Sequence, residues 1–288
     1  MESSFQIIKS CIFILLFFSN CTKELKIDEV HSDQQLVVEG YIEPNKNPIV
    51  YLTKSSPYFN KIDSSNILEY IASFAKVSVS VEGKTEVLTL KRYNDNRYPI
   101  YYYEGNEIKG EIGKMYTLKI ELSGKVYEST TIISETTSLN ALSYFNATNN
   151  PEQKFLKINF KDPANKANYY RIYTKRYGKD ADFIPCYLST FSDFDSDGKE
   201  INFEIIRSYS PIISTDNGRY FVTGDSVIVK FCSIDKTQYN YWKAIESQIA
   251  ISTNPFGLSS STPVSLISNN ALGVWAGLSS NYYHIKIK

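Results

Sequence analysis

The stretch Met115-Tyr116-Thr117-Leu118-Lys119-Ile120-Glu121-Leu122, followed by Ser123-Gly124 and by Val126 to Ile133, decides the fold class. Apolar and polar residues alternate with the period of two that a half-buried strand requires. Ser123-Gly124 supplies a two-residue hairpin turn, and the chain then runs back. The same grammar extends to both sides. Upstream, Leu36 to Ile42 and Ile49 to Thr53 flank the turn Pro44 to Pro48. Ala75 to Val81 puts Val77, Val79 and Val81 on one face, and Glu82-Gly83-Lys84 turns into Glu86 to Leu90; Tyr98 to Tyr103 is a further strand. A short helix is expected around Ile67-Leu68-Ile71, after Ser55 to Phe59 ends the second strand at Pro57.

Downstream, Ser134 to Ser138 is a polar linker. Strands are expected at Ala141 to Phe145, Phe155 to Phe160, Tyr169 to Thr174 and Ser226 to Phe231, with Asp162-Pro163 as a turn and two further segments flanking Asp193 to Gly198. One helix is predicted over 236–250. Asp235 caps it with Gln238 three residues on, and Tyr239, Trp242, Ile245 and Ile249 fall on one face before Asn254-Pro255-Phe256 stops it. The chain closes on an expected Gly-containing strand pair, Ala271 to Leu278 and Tyr282 to Ile287. With 23 Tyr and 16 Phe against two Met, the composition also favours strands. The expected class is mainly β: two β-sandwich-like domains of immunoglobulin or fibronectin type, 36–136 and 137–288, with one amphipathic helix.

The amino terminus gives an address. Lys9 precedes the uncharged run Cys11 to Phe18, and Ser19-Asn20-Cys21 closes it, the layout of a secretory signal over 1–20. Eight apolar residues fall far short of the roughly 20 that span a bilayer as a helix. Phe18-Ser19-Asn20-Cys21 resembles the bacterial lipobox, so Cys21 is the expected lipidation site and 21–35 a flexible tether. An ordinary signal peptide with a chance cysteine is the alternative. The balance of 31 cations and 31 acids, with no basic block, argues against a nucleic-acid partner.

Chemistry is sparse. Asp193, Asp195, Asp197 and Glu204, with Gly198 at the bend, spell the oxygen positions of a calcium loop. The competing reading is an Asp-Gly turn with its acids in water. Cys186 and Cys232 are a possible disulfide in an exported protein, or two buried thiols. His31 lies in the tether, which leaves His284, in Tyr-Tyr-His-Ile, as a strand residue rather than a catalytic one. The paired tyrosines Tyr101 to Tyr103, Tyr169-Tyr170, Tyr239 to Trp242 and Tyr282-Tyr283 either stack on sugars, form a protein interface, or divide between core and surface. No nucleophile, zinc set or phosphate loop is spelled out.

Leu36 to Ile42 (LVVEGYI) after the lipobox, Tyr116 to Tyr127 (YTLKIELSGKVY), Asp193 to Lys199 (DFDSDGK), Asn254-Pro255-Phe256, Ser268 to Asn270 and Leu272 to Gly277 (LGVWAG) occur in order. Together they resemble domain of unknown function 4249, a family of Bacteroidota lipoproteins. The resemblance implies a β-rich outer-membrane lipoprotein, often encoded beside a TonB-dependent transporter, with no catalytic residues to carry over. The expectation is a lipid-anchored binding or accessory protein in nutrient uptake, without a cofactor. Alternatives are a surface glycan or peptide hydrolase and a calcium-stabilised adhesion or scaffolding protein. Which face of the outer membrane carries it is left open.

Overall fold

The structure is a computed structural model that describes residues 34–56, 66–72, 74–95, 97–148, 150–207, 218–252 and 262–288. The signal segment 1–20, Cys21, His31, Pro57 to Phe59 and Asn254-Pro255-Phe256 lie outside the described residues. So do Asn60 to Ser65 and Ser73. The fold is mainly β. In chain order the elements are β1 Leu36–Ile42, β2 Ile49–Lys54, β3 Lys76–Val81, β4 Lys84–Val87, β5 Thr89–Arg92, β6 Tyr101–Glu104, β7 Met115–Leu122 and β8 Lys125–Ile132. Then come β9 Ala141–Ala147, β10 Asn150–Lys161, β11 Tyr169–Arg176, β12 Ile184–Ser192, β13 Glu200–Ile205, β14 Phe221–Val222 and β15 Ser226–Ile234. Helix α1 Lys236–Ser252, β16 Leu272–Gly277 and β17 Ser279–Lys286 complete the chain, and a single 3-10 turn occupies Ile67–Tyr70.

Four sheets form two sandwiches. Sheet β16-β1-β2-β6-β5 faces sheet β4-β3-β7-β8, and their inner residues, among them Val38, Ile42, Leu52, Val77, Val79, Leu118 and Ile120, make the first core. In the second, β10 with β9, β13 and β14 faces β12-β11-β15-β17 around Leu156, Phe160, Tyr170, Phe221 and Phe231. Strand alternation explains both cores. On β15, Val227, Val229 and Phe231 enter the second core, while Lys230, Cys232 and Ile234 point to the opposite side. That side is also covered, because Cys232 and Ile234 meet Val274 and Ala276 of β16 and Tyr239 and Trp242 of α1 in a third cluster.

Three expectations are corrected here. The closing segments are strands but not a pair: β16 runs parallel to β1, and β17 runs antiparallel to β15. The division at 136/137 therefore fails at its far end, since Ile267, Ala271 and Trp275 belong to the first core. The crossing depends on close backbone approach. A side chain at Gly273 (φ +120°) or Gly277 would collide with the Val38 or Ile132 carbonyl, at 1.8 and 2.4 Å. Trp275, fully buried, donates its Nε1 proton to the Tyr116 carbonyl at 3.1 Å and fixes the register. Likewise Glu86 to Leu90 is broken at Leu88, where the chain leaves one sheet as β4 and enters the other as β5.

Asp235 caps α1 as expected: its Oδ1 accepts the Gln238 amide at 2.9 Å. The Gln238 side chain, however, donates to Asp235 Oδ2 (2.8 Å) and to Thr131 Oγ1 (3.0 Å), which fastens the helix to β8. Glu246 Oε1 accepts the Thr190 amide (3.0 Å) and hydroxyl (2.8 Å), and the Arg171 guanidinium lies 4.0 Å over the Trp242 ring. Tyr239, Tyr241 and Trp242 pack inward, whereas Ile249 is exposed.

Candidate functional site

Sheet β12-β11-β15-β17 is covered by α1 over part of its outer face and by β1 and β2 over another part. Between β1–β2 and this face of the sheet opens a cleft of about 570 Å³. Its back wall is a cross-strand row, Tyr173–Lys230–Tyr282, set side by side on β11, β15 and β17 by the strand register. The facing wall comes from β1 and β2, where Glu39 stands opposite Tyr51 and Tyr41 opposite Ile49. Tyr93, Arg97 and Tyr98, between β5 and β6, line one side, and Asp182 and Phe183, between β11 and β12, line another.

At the floor Lys230, 5% exposed, donates from Nζ to Glu43 Oε1 at 2.5 Å. The rings of Tyr41 and Tyr173 lie 5.1 Å from that ammonium and Phe183 5.8 Å. Glu43, 3% exposed, also accepts from Lys46 Nζ (3.1 Å) and from the Tyr282 hydroxyl through Oε2. Burial works against ionisation of Glu43, but Lys230 and Lys46 prevail and hold its carboxyl below the usual range. Burial likewise opposes the charge on Lys230, and Cys232, Glu43, Tyr282 and Tyr173 around it reverse the sign, so its pKa is raised. Of these neighbours Glu43 carries the formal negative charge at neutral pH. The pair remains ionised.

The tyrosines form a connected donor surface. Tyr51 and Tyr93 share a hydrogen bond at 2.7 Å, Tyr102 stacks on Tyr93 at 4.3 Å, and the Arg97 guanidinium lies 4.1 Å from the Tyr93 ring. Arg97 also reaches Asp182 at 2.6 Å and so joins the two halves of the mouth. Burial raises the phenols of Tyr41, Tyr51 and Tyr282 and keeps them protonated. Glu39 differs from every other lining acid. Glu43, Glu104 and Asp182 each hold a cation, whereas Glu39 has no hydrogen-bond or ion-pair partner among the described residues. Its surface opens onto the cleft, yet the walls withdraw it from bulk water, and that desolvation raises its carboxyl against the opposing pull of Arg171.

The residues singled out from sequence lie elsewhere. Asp193 and Asp197 do converge, but with Asp162 rather than with Asp195 or Glu204; single ligand atoms of the three lie within 4.8 Å of one another. Glu204 is on β13 opposite Lys157, and Asp195 is exposed, so the twelve-residue calcium loop is not formed. Most of the oxygens in the observed cluster already have donors. Asp162 accepts from the Tyr170 hydroxyl and the Gly198 amide (3.1 Å), Asp193 from the Asn168 amide (2.9 Å), and Asp197 from the Asn165 amide (2.9 Å). No bridge joins Cys186 and Cys232. Both are free and buried, the first within reach of Thr174 Oγ1 (3.9 Å) and the second of Ser280 Oγ (3.3 Å). Burial pushes their thiols up to about 12 and about 11. His284 is exposed on β17, opposite Ile228. Tyr170 and Tyr283 serve the second core, while their neighbours Tyr169 and Tyr282 face the third cluster and the cleft.

The family model described as "Domain of unknown function (DUF4249)" matches residues 22–274. The chain belongs to this family. That description assigns no activity to domain of unknown function 4249 proteins, and no curated protein matches the chain. Among solved structures, a two-domain fibronectin type-III segment from chicken tenascin is similar at 14% identity over 70% of this chain and 91% of that one, with a TM-score of 0.21. So slight a likeness carries no weight, and the sandwich assignment rests on the strand pairing above. Among the described residues no helix is long and apolar enough to cross a membrane.

Proposed function

We propose that this protein is a lipid-anchored binding or accessory protein of the outer membrane, tethered through Cys21. In this reading it holds a small polar molecule in the cleft between β1–β2 and β11–β15–β17, beside a TonB-dependent transporter in nutrient uptake. The carrying observation is the cleft itself, preformed and tyrosine-walled, with a charge-paired floor and one unpartnered carboxylate. The anchor is supported by the lipobox-like Phe18-Ser19-Asn20-Cys21, and the transporter by the setting that the family resemblance implies.

The same geometry favours binding over hydrolysis. Glycoside hydrolysis calls for two available carboxyls about 5 to 9.5 Å apart, and three of the four lining acids are held by cations. The test is gentle extraction of outer membranes bearing the carboxy-terminally tagged chain, with Cys21→Ser as the unlipidated control. Stoichiometric recovery of a TonB-dependent transporter, lost in the control, is expected. Recovery of the tagged chain alone from well-extracted membranes would count against the partnership.

A further inference from the structure

Three properties of the cleft limit what it accepts. The first is charge. Lys230 and Lys46 are both held by Glu43, and Arg97 by Asp182, so a ligand that competes for these cations would have to break an internal pair. The second is the nature of the wall. Most of its phenol hydroxyls are already paired, Tyr51 with Tyr93, Tyr282 with Glu43 and Tyr173 with Arg171, so it offers a ligand mainly aromatic surface. The third is Glu39, which lines the cleft with no hydrogen-bond partner among the described residues and stands opposite Tyr51 in strand register. A paired acceptor beside an aromatic face suits a molecule with adjacent hydroxyls on one edge and C–H groups on its flat side. The volume of about 570 Å³ lies within the range of small-molecule sites.

We propose that the cleft binds a neutral saccharide, whose adjacent hydroxyls hydrogen-bond to the Glu39 carboxyl group while its ring lies against the tyrosine wall. The inference rests on the binding reading above. Glu39 has no internal partner to lose, so its isosteric replacement separates ligand contact from folding.

The test uses the full chain in a detergent without a sugar headgroup, with calorimetry and saturation-transfer NMR as readouts. The probes are glucose, galactose, mannose, xylose, N-acetylglucosamine and their disaccharides, set against a uronic-acid disaccharide and trialanine. At least one neutral saccharide should bind saturably below about 10 mM. Glu39→Gln should weaken it about tenfold without lowering the melting temperature or changing the far-ultraviolet spectrum, since it removes a carboxyl whose charge burial disfavours. Binding indifferent to Glu39→Gln would overturn the assignment of this cleft. Binding of only trialanine or the uronic acid, sensitive to Glu39→Gln, would overturn the saccharide and leave the binding reading standing. No saturable binding by any probe would overturn the saccharide and count against the binding reading as well.

Discussion

Lys230→Met is the perturbation that most directly tests how the two halves are held apart. It removes the ammonium from a side chain 5% exposed and keeps its length and apolar contacts with Tyr41, Tyr173 and Phe183. Glu43 is then left 3% exposed, with Lys46 and the Tyr282 hydroxyl as its remaining partners. Losing one member of a buried ion pair costs about 3 to 5 kcal/mol, because the survivor keeps its desolvation cost. Lys46 is half exposed and already 3.1 Å away, which places the loss at the lower end, about 3 kcal/mol. For a chain of this size that corresponds to a fall in melting temperature of roughly 6 to 12 °C. Urea unfolding and thermal circular dichroism at pH 7 measure it. The double variant Glu43→Leu with Lys230→Met removes both charges and should regain most of the loss, since a buried pair is worth little against apolar groups of similar volume. A single variant within about 1 kcal/mol of the parent, or a double variant no better than the single, would refute the argument.

The pH limits of stability follow from the other shifted groups. Burial opposes ionisation of Glu43, Glu86 and Asp180, but Lys230 and Lys46, the backbone amides of Asn106 to Ile108, and Arg176 with Arg207 hold them low. Their stabilisation is therefore present above the ordinary range near about pH 4 and lost as pH falls through the lower folded values. Cys186, Cys232, Tyr51, Tyr170 and Tyr282 are raised by burial, so what they contribute is complete below about pH 8.5 and lost as pH rises. Urea midpoints should fall below about pH 5 and above about pH 8, and between these the raised Glu39 carboxyl should let them decline, not climb, with rising pH; a midpoint that climbs above pH 9 would contradict this. Dithiothreitol should leave the melting temperature unchanged, and peptide mapping should find Cys186 and Cys232 alkylated only after unfolding. Calcium should have little effect. A site of about 10 μM affinity would add about 4 kcal/mol at about 5 mM ion, whereas Asp162, Asp193 and Asp197 already accept protein donors, so a shift under about 1 kcal/mol relative to EGTA is expected.

Local pattern carried most of the strands and the helix, because alternation at Ala75 to Val81 or Tyr116 to Leu122 and the Asp235 cap are properties of a few consecutive residues. Pairing between distant segments was not legible. Nothing near Leu272 to Gly277 announces that its partner is β1, more than two hundred residues away and parallel. The cleft was hidden for the same reason, since its residues come from β1, β2, the stretch after β5, β11, β15 and β17. Two signals were nevertheless present. On the face of Ser226 to Ile234 opposite Val227, Val229 and Phe231, Lys230 stands in a row with Ile228, Cys232 and Ile234, and a lysine among apolar residues of a covered strand requires a buried partner. LVVEGYIE places Glu39 and Glu43 on the face opposite Val38 and Ile42. The calcium spelling misled because it counted positions along one loop, whereas carboxylates from both sides of a turn converge.

The choice of residues at the centre of the contact explains why an open cleft exists there at all. Sheet β12-β11-β15-β17 must be covered on its outer face, and where the cover is apolar it closes completely: Cys232 and Ile234 meet Val274 and Ala276 with no gap. Two residues before Cys232 on the same face stands Lys230, and the facing β1 carries Tyr41, with Glu43 directly after its end. An ion pair of this kind adds little net stability over apolar packing, but it fixes a separation and direction that leucines would not. Lys230 and Glu43 hold the walls at the reach of two side chains, and the stacked phenols above them are too rigid and too polar to collapse into the space. The sequence thus forgoes a third continuous core at this point and keeps a preformed polar recess, with Glu39 as the acceptor left unsatisfied by the fold.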